Sequence, residues 1–239
     1  MKILSIFIYL VFLISCQSAN KKTKETSVDS NLSQISDLGL KGDRMGIPIF
    51  ASGIYQDISL AYDSSSKIVT GVYQYYDNWD EKYKEYLNVN VFYFFGIVNQ
   101  NKTINIKGAW PTNKQQLNGK LSNNQNNDSI FIGLHLDQQP LGYNDVDFTN
   151  NNGALMNLES LKKWIQIRIV KSPVAGLFNS PDSSALRKGY LVKTDIVKVF
   201  SKSENGWYNI EYNPKNNNSK STIVWMREED LYDIDPMKW

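Results

Sequence analysis

Hydrophobic residues alternate with polar residues over most of the chain after Ile49. A period of two is typical of β-strands with one buried face, because successive side chains point to opposite sides of a sheet. Polar, turn-rich segments at 63–66, 99–101, 123–128 and 150–153 separate these runs. Short strands at near-regular spacing predict an antiparallel sandwich or barrel. The predicted strands cover residues 54–60, 67–76, 89–95, 103–106, 117–121 and 130–136.

Few stretches are long or periodic enough for a helix, and residues 157–164 form the best candidate, at about two turns. A new alternating run begins at Ile165. We therefore place a boundary at 165–171, which divides the body into a β-rich domain at 47–164 and a second unit at 165–239. The predicted fold class is all-β.

The second unit carries short motifs in a characteristic order: Leu-Phe-x-Ser-Pro-Asp at 177–182, Thr-Asp-x-Val-x-Val at 194–199, Gly-Trp-Tyr-x-Ile-x-Tyr at 206–212, a Trp-containing strand at 222–226 and Asp-Leu at 230–231. With these motifs, residues 169–234 resemble the bacterial SH3-like domain. The chain departs from that family at Thr194 and Val224, where glycine is usual. The resemblance implies a small SH3-like β-barrel that binds peptide or peptidoglycan. Residues 47–164 are similar only to uncharacterised lipoproteins that carry such a module.

Near the N-terminus, Lys2 precedes an apolar run that ends in Leu13-Ile14-Ser15-Cys16. The run is shorter than the roughly 20 residues that cross a bilayer, and it suits the apolar region of a signal peptide. Its end resembles the lipobox of bacterial lipoproteins. The resemblance implies acylation of Cys16 after removal of residues 1–15. A plain secretory peptide with an incidental cysteine, or an N-terminal membrane helix, are the alternatives.

Residues 16–46 contain the acylated N-terminus and a polar segment that we interpret as a flexible tether. The lipid bilayer would then be one partner of the protein, through acylated Cys16. In the lipoproteins that the chain resembles, an acidic run after the cysteine can mark export to the cell surface. No such run follows Cys16. We therefore expect a lipid-anchored protein of the bacterial cell envelope that faces the periplasm.

Composition excludes several classes of function. Lys and Arg number 26 against 24 Asp and Glu, a formal charge of +2, whereas a dedicated nucleic-acid binder needs a basic excess. The single cysteine and single histidine exclude a disulfide framework and zinc sites built on several such ligands. They also exclude a cysteine–histidine dyad, because Cys16 is assigned to lipid. We expect no nucleic-acid partner and no cofactor.

Catalytic chemistry has few candidates in this chain. His135 lies within an alternating strand without an accompanying Gly-x-Ser-x-Gly motif, so we interpret it as structural or solvent-facing. Asp145 and Asp147 are two positions apart, which leaves open a carboxylate-dependent hydrolase or a calcium site. The glycine spacing of an EF-hand fails here, because Gly153 is seventh when counting from Asp147. We expect no catalytic residue and no resident metal.

Aromatic residues make up 13% of the chain. Tyr and Trp combine large buried area with a polar tip, which suits recognition surfaces, although small β cores also use them. Within 206–212, Trp207 and Tyr208 must point to opposite faces, so we expect one in the core and the other against solvent or a partner. The candidate binding surface comprises a predicted hairpin with Tyr75, Tyr76, Trp79, Tyr83 and Tyr86, and a second patch with Tyr190, Trp207 and Trp225.

These features predict a non-enzymatic, membrane-anchored lipoprotein that binds cell-wall peptide or an envelope protein through its β domains. An immunity or inhibitor lipoprotein, directed against an envelope-acting toxin or lytic enzyme, is the first alternative. A carboxylate-dependent hydrolase is the second.

Overall fold

The structure is a computed structural model that describes residues 50–83, 85–99, 103–112, 114–125, 130–140, 146–213 and 221–239, without the side chains of 77, 85–89 and 125. The predicted signal peptide, Cys16, the tether and Asp145 lie outside the described residues. The described residues form an all-β protein, as predicted. It contains a closed barrel of eight antiparallel strands and a second sheet of six.

The barrel is formed by β1 to β8 in chain order, and β8 closes it by pairing with β1. Each strand is antiparallel to the next, as short connections allow. Of the two predicted architectures for the first unit, the structure has the barrel. Its strands are β1 (Gly53–Tyr55), β2 (Ile58–Asp63), β3 (Ile68–Asp80), β4 (Glu85–Ile97), β5 (Thr103–Ala109), β6 (Gln116–Gln125), β7 (Ile130–Leu136) and β8 (Ala154–Leu161).

Alternation along each strand fills the barrel interior. In β5, Ile104 and Ile106 point inward, whereas Thr103, Asn105 and Lys107 face solvent. Aromatic rings fill the centre: Phe92 stacks on Tyr73 with ring centroids 5.4 Å apart and meets Phe148 edge-on at 5.7 Å. Such side chains supply the largest apolar areas of a core. The interior is therefore a packed core.

The second sheet follows the order β11-β10-β14-β13-β12-β9. One face of these strands surrounds its own core, which includes Leu177, Val197, Tyr208 and Met226. Thr194 has φ of 75°, a left-handed conformation that favours glycine. The strands are β9 (Gln166–Ile169), β10 (Val174–Phe178), β11 (Leu186–Val192), β12 (Ile196–Lys202), β13 (Trp207–Tyr212) and β14 (Thr222–Arg227).

A third core joins the two units. It combines side chains on the outer face of the barrel, such as Val72 and Tyr93, with Trp164 and Ile167 of the chain that follows. Two hydrogen bonds cross this interface core: the Ile167 amide donates to Thr70 Oγ1 at 2.7 Å, and the Tyr93 hydroxyl donates to the Ile234 carbonyl at 2.8 Å. The two units therefore contact each other through buried apolar and polar groups.

Two local predictions were wrong. Residues 157–164 do not form a helix, because Ala154–Leu161 is strand β8, which pairs with β7 and β1 and closes the barrel. The pairing that closes the barrel outweighs the local preference for a helix at these positions. The predicted strand 54–60 is two strands, since Gln56 takes a φ of 51° and turns the chain between Tyr55 and Ile58.

Candidate functional site

The hairpin of β3 and β4 is longer than the strands beside it. Both strands have 13 residues and pair with each other as far as Asp80 and Glu85, which confirms the predicted hairpin. The neighbouring strands support only its base: β2 pairs with Ile68–Tyr73, and β5 pairs with Tyr93–Gly96. Beyond Gln74 the ladder is two-stranded over roughly 20 Å. We call residues 75–90 the distal hairpin.

Among its described side chains, the distal hairpin exposes three aromatic rings. Tyr76 is 46% exposed, Trp79 40% and Tyr83 61%. Tyr75 is half-buried and packs against the barrel core. Tyr86 lies opposite Trp79 in the ladder. The hairpin residues singled out from the sequence thus lie on one element, with Tyr75 at its base and the three exposed rings farther out.

Hydrogen bonds fix the chain at the tip of the hairpin. Asp80 Oδ1 accepts from the amides of Lys82 at 2.8 Å and Tyr83 at 3.0 Å, the pattern of an Asx turn. The Trp79 indole N–H donates to Glu81 at 2.8 Å, and Lys82 Nζ donates to the Tyr83 hydroxyl at 3.0 Å. These bonds, with one from Gln74 Nε2 to the Tyr76 hydroxyl at 2.6 Å, restrain the exposed rings, which lowers the entropy lost when a partner binds them.

The second predicted patch differs between its three residues. Tyr190 is exposed and Trp225 half-buried. Trp207 was predicted to belong to the binding surface. That prediction was wrong, because its side chain is only 8% exposed. Its ring meets Phe178 edge-on at 4.8 Å, and the Arg227 guanidinium covers it at 5.5 Å.

Tyr208 occupies the opposite face of β13 and belongs to the core of the second sheet. Both neighbours in the Trp-Tyr pair are therefore buried, and the expectation that one of them meets solvent or a partner was wrong. The reason is that side chains from β10 and β14 cover Trp207 on the face that the core does not use.

His135 and Asp147 both make local structural bonds. His135 Nδ1 lies 2.8 Å from the Asn150 carbonyl oxygen. Asp147 Oδ1 accepts from the Thr149 hydroxyl at 2.7 Å and the Thr149 amide at 2.9 Å. These bonds, with a third from the Asn150 amide, hold the pKa of the Asp147 carboxyl below its ordinary value. Asp147 therefore acts as a turn-forming residue, and the described residues contain no group of three metal-ligating side chains.

A charged cleft that the sequence did not reveal lies beside the interface core. Arg168 on β9 is only 6% exposed, whereas charged side chains are rarely buried unless they are paired. Its guanidinium donates to the Tyr208 hydroxyl at 3.1 Å and to the Tyr232 carbonyl. The cleft above it has a volume of about 660 Å³.

Glu228 completes this network. It accepts from the Tyr208 hydroxyl at 3.0 Å and pairs with Lys202 at 2.8 Å. Burial by itself would raise the pKa of the Glu228 carboxyl, but the hydrogen bonds from Lys202 and Tyr208 lower it below its ordinary value. The network lies within the second unit, where it joins β9, β12 and β13 to the chain that follows β14.

Comparisons with known proteins add no family: no family model, curated protein or solved structure matches the chain significantly. Within the described part of the chain, no helix combines the length and the apolar character that a membrane crossing requires.

Proposed function

We propose that the protein is a membrane-anchored, non-enzymatic binding protein of the bacterial cell envelope. It recognises a cell-wall peptide or an envelope protein, and the distal hairpin is its recognition element. The observation that carries this proposal is that the hairpin extends beyond its supporting strands and exposes Tyr76, Trp79 and Tyr83.

The distal hairpin contributes little to the stability of the unbound protein. A two-stranded hairpin in water is marginally stable, and exposed aromatic rings contribute little to the core. Tyr and Trp are, however, enriched among the residues that dominate binding energy at protein interfaces. A long hairpin that exposes three such rings in an ordered conformation is favourable for recognition and of little use for folding stability.

The anchor follows from Cys16 at the end of its lipobox-like run. Acylation there would hold the body at a membrane surface through the tether 16–46, with the barrel and second sheet in the periplasm. Within the second unit, β10 to β14 form the SH3-like module of the proposal. Short strands around one small core support this assignment. A peptide-binding role for that module is implied by the family resemblance.

The contact between the two units is consistent with one ligand binding to both of them. Val72 and Tyr93 of the hairpin strands themselves belong to the interface core, together with Trp164 and Ile167. The base of the recognition hairpin is therefore packed directly against the start of the second unit. A ligand that contacts both units would meet them in one fixed arrangement.

A crosslinking experiment in the native envelope tests this function. The full chain carries a photoreactive residue in place of Tyr83 in one strain and in place of Tyr190, on the second sheet, in another. We expect a discrete crosslinked protein when the photoreactive residue is at position 83, or retention of the protein on isolated cell-wall sacculi. With the photoreactive residue kept at position 83, Tyr76→Ser/Trp79→Ser should lose it, whereas Ile97→Ser, which removes an exposed apolar side chain at the opposite end of β4, should keep it.

The opposite outcome is equally clear. If the Tyr76→Ser/Trp79→Ser variant retains the crosslink at position 83 and sacculus binding at the level of the unmodified protein, the hairpin is not the recognition element. A turnover of substrate by the purified full chain would contradict the non-enzymatic assignment.

A second candidate function is that of an immunity or inhibitor lipoprotein. The narrow hairpin, with Asp80 and Glu81 at its ordered tip, has a shape that can enter the cleft of a lytic enzyme or toxin. In that case the crosslinked partner is an enzyme, and the purified full chain inhibits it. A Tyr76→Ser/Trp79→Ser/Tyr83→Ser variant then loses inhibition, while Ile97→Ser does not.

A further inference from the structure

The outer face of β5 to β8 carries a shallow groove that is separate from the hairpin. The barrel residues of the interface core come from β1 to β4, on another part of the barrel wall. On β5 to β8, Thr103 pairs with Ser122, Ser122 with Gly133, and Gly133 with Leu155. These four residues form one row across four strands. At about 4.8 Å between strands, the row is about 14 Å long.

Gly133 forms the floor of this groove. A Cβ atom at Gly133 would lie 2.6 Å from Ser122 Oγ and 3.1 Å from the Asn152 carbonyl oxygen. Only a residue without a side chain therefore leaves the floor at backbone level. The groove has a volume of about 540 Å³, and the loop residues Asn151 and Asn152 border it.

The groove offers both donors and acceptors of hydrogen bonds. Ser122 Oγ accepts from Asn124 Nδ2 at 3.1 Å and donates to the Gly133 carbonyl at 3.3 Å. His135 Nδ1 donates to the Asn150 carbonyl at 2.8 Å, since a carbonyl oxygen can only accept. The other ring nitrogen, Nε2, is the second hydrogen-bonding atom of this side chain. These internal bonds fix the polar side chains of the groove in place.

Two apolar side chains accompany these polar groups. Phe131 is half-buried and Leu155 is exposed, on the strands at and beside the Gly133 floor. Lys120 is the one permanently charged residue of the described lining. A peptide of high charge or a nucleic acid would find few complementary charges here. Hydroxyl and amide groups beside small apolar surfaces match a neutral sugar, whose ring has hydroxyl edges and apolar C–H faces.

We propose that this groove binds a neutral oligosaccharide. Ser122, Asn124 and His135 hydrogen-bond its hydroxyl or acetamido groups, and Phe131 and Leu155 contact its apolar faces. The site goes beyond the proposed recognition by the hairpin, because it lies on different strands and requires none of the hairpin residues.

Methyl NMR of the full chain, in micelles of a detergent without a sugar head group, tests this site. The probes are the N-acetylglucosamine trimer and the glucose trimer, titrated separately. We expect a saturable shift of the Leu155 methyl resonances with at least one trimer, and no shift of Ile223, which is exposed on the second sheet. The trimer that binds more tightly distinguishes an acetamido sugar from a plain polyol.

Variants make the result specific to the groove. Phe131→Ala and Asn124→Ala should each weaken binding, by about tenfold for Phe131→Ala. Gly133→Ala should abolish it by filling the floor, and the unshifted core methyl spectrum shows whether each variant is folded. The Tyr76→Ser/Trp79→Ser/Tyr83→Ser variant should bind the trimer unchanged. Absence of a saturable Leu155 shift with both trimers, or unchanged binding by Phe131→Ala and Asn124→Ala together, overturns the proposal without affecting the role of the hairpin.

Discussion

The two halves of the β3–β4 hairpin share the same strands but have opposite environments. In the half that lies in the barrel, Phe92 and Phe94 are fully buried and each strand has a second neighbour. In the distal half, Tyr76, Trp79 and Tyr83 are exposed and the strands pair only with each other beyond Gln74. Aromatic residues stabilise the fold in one half and remain accessible in the other. Residue type alone therefore does not distinguish a core from a binding surface. The number of neighbouring strands does.

The largest effect on stability is expected from Phe92→Ala. Phe92 is fully buried between Tyr73 and Phe148, so truncation removes apolar contacts and leaves a cavity. We expect a loss of about 3–5 kcal/mol in the free energy of unfolding, measured with urea. A loss equal to that of Trp79→Ala would show that the two halves do not differ as described.

Gly71→Ala tests the close packing of the barrel half. A Cβ atom at Gly71 would lie 2.1 Å from Phe94 Cζ, and the Phe94 ring has no solvent into which it can move. We expect destabilisation of up to about 3 kcal/mol by overpacking. A double variant, Gly71→Ala/Phe94→Leu, should recover part of that loss, because it shortens the clashing side chain. Wild-type stability of Gly71→Ala alone would refute the contact.

Thr70→Val tests the connection between the base of the hairpin and the second unit. Thr70 Oγ1 accepts the Ile167 amide at 2.7 Å in a buried position. Valine keeps the shape but leaves that N–H without an acceptor, so we expect a loss of about 1–2 kcal/mol. Thr70→Ser, which retains the hydroxyl, serves as the control and should preserve the hydrogen bond. Amide hydrogen exchange at Ile167 should accelerate only in the valine variant.

The Glu228 network predicts a pH dependence that belongs to the second unit and leaves the hairpin unaffected. Because the pKa of Glu228 is lowered from 4.5 in the folded state, its contribution is present above that value and is lost as pH falls through the folded pKa. Its side chain is 41% exposed and that of Lys202 is 47% exposed, so the pair contributes at most about 1 kcal/mol. Glu228→Gln should therefore cost stability at pH 7 and nothing at pH 2, in urea titrations at both pH values. An equal cost at both would contradict the assignment.

The sequence predicted the elements whose signal is local. Alternation identified β3 to β7, and the aromatic residues from Tyr75 to Tyr86 indicated the hairpin. Features that depend on distant strands were not predictable. Trp207 is buried because Phe178 and Arg227 cover it, and β8 is a strand because it closes the barrel. The groove around Gly133 needs the register of four strands, which the pattern along any one of them does not contain.

The central claim is that the distal hairpin serves recognition and contributes little to folding, and the Tyr76→Ser/Trp79→Ser/Tyr83→Ser variant tests it most directly. We expect its free energy of unfolding to remain within about 0.5 kcal/mol of the unmodified protein, as for exposed positions in general. In the same preparation, capture of the envelope partner or of sacculi should be lost. A stable variant that still captures its partner, or one that loses stability as Phe92→Ala does, would contradict the account.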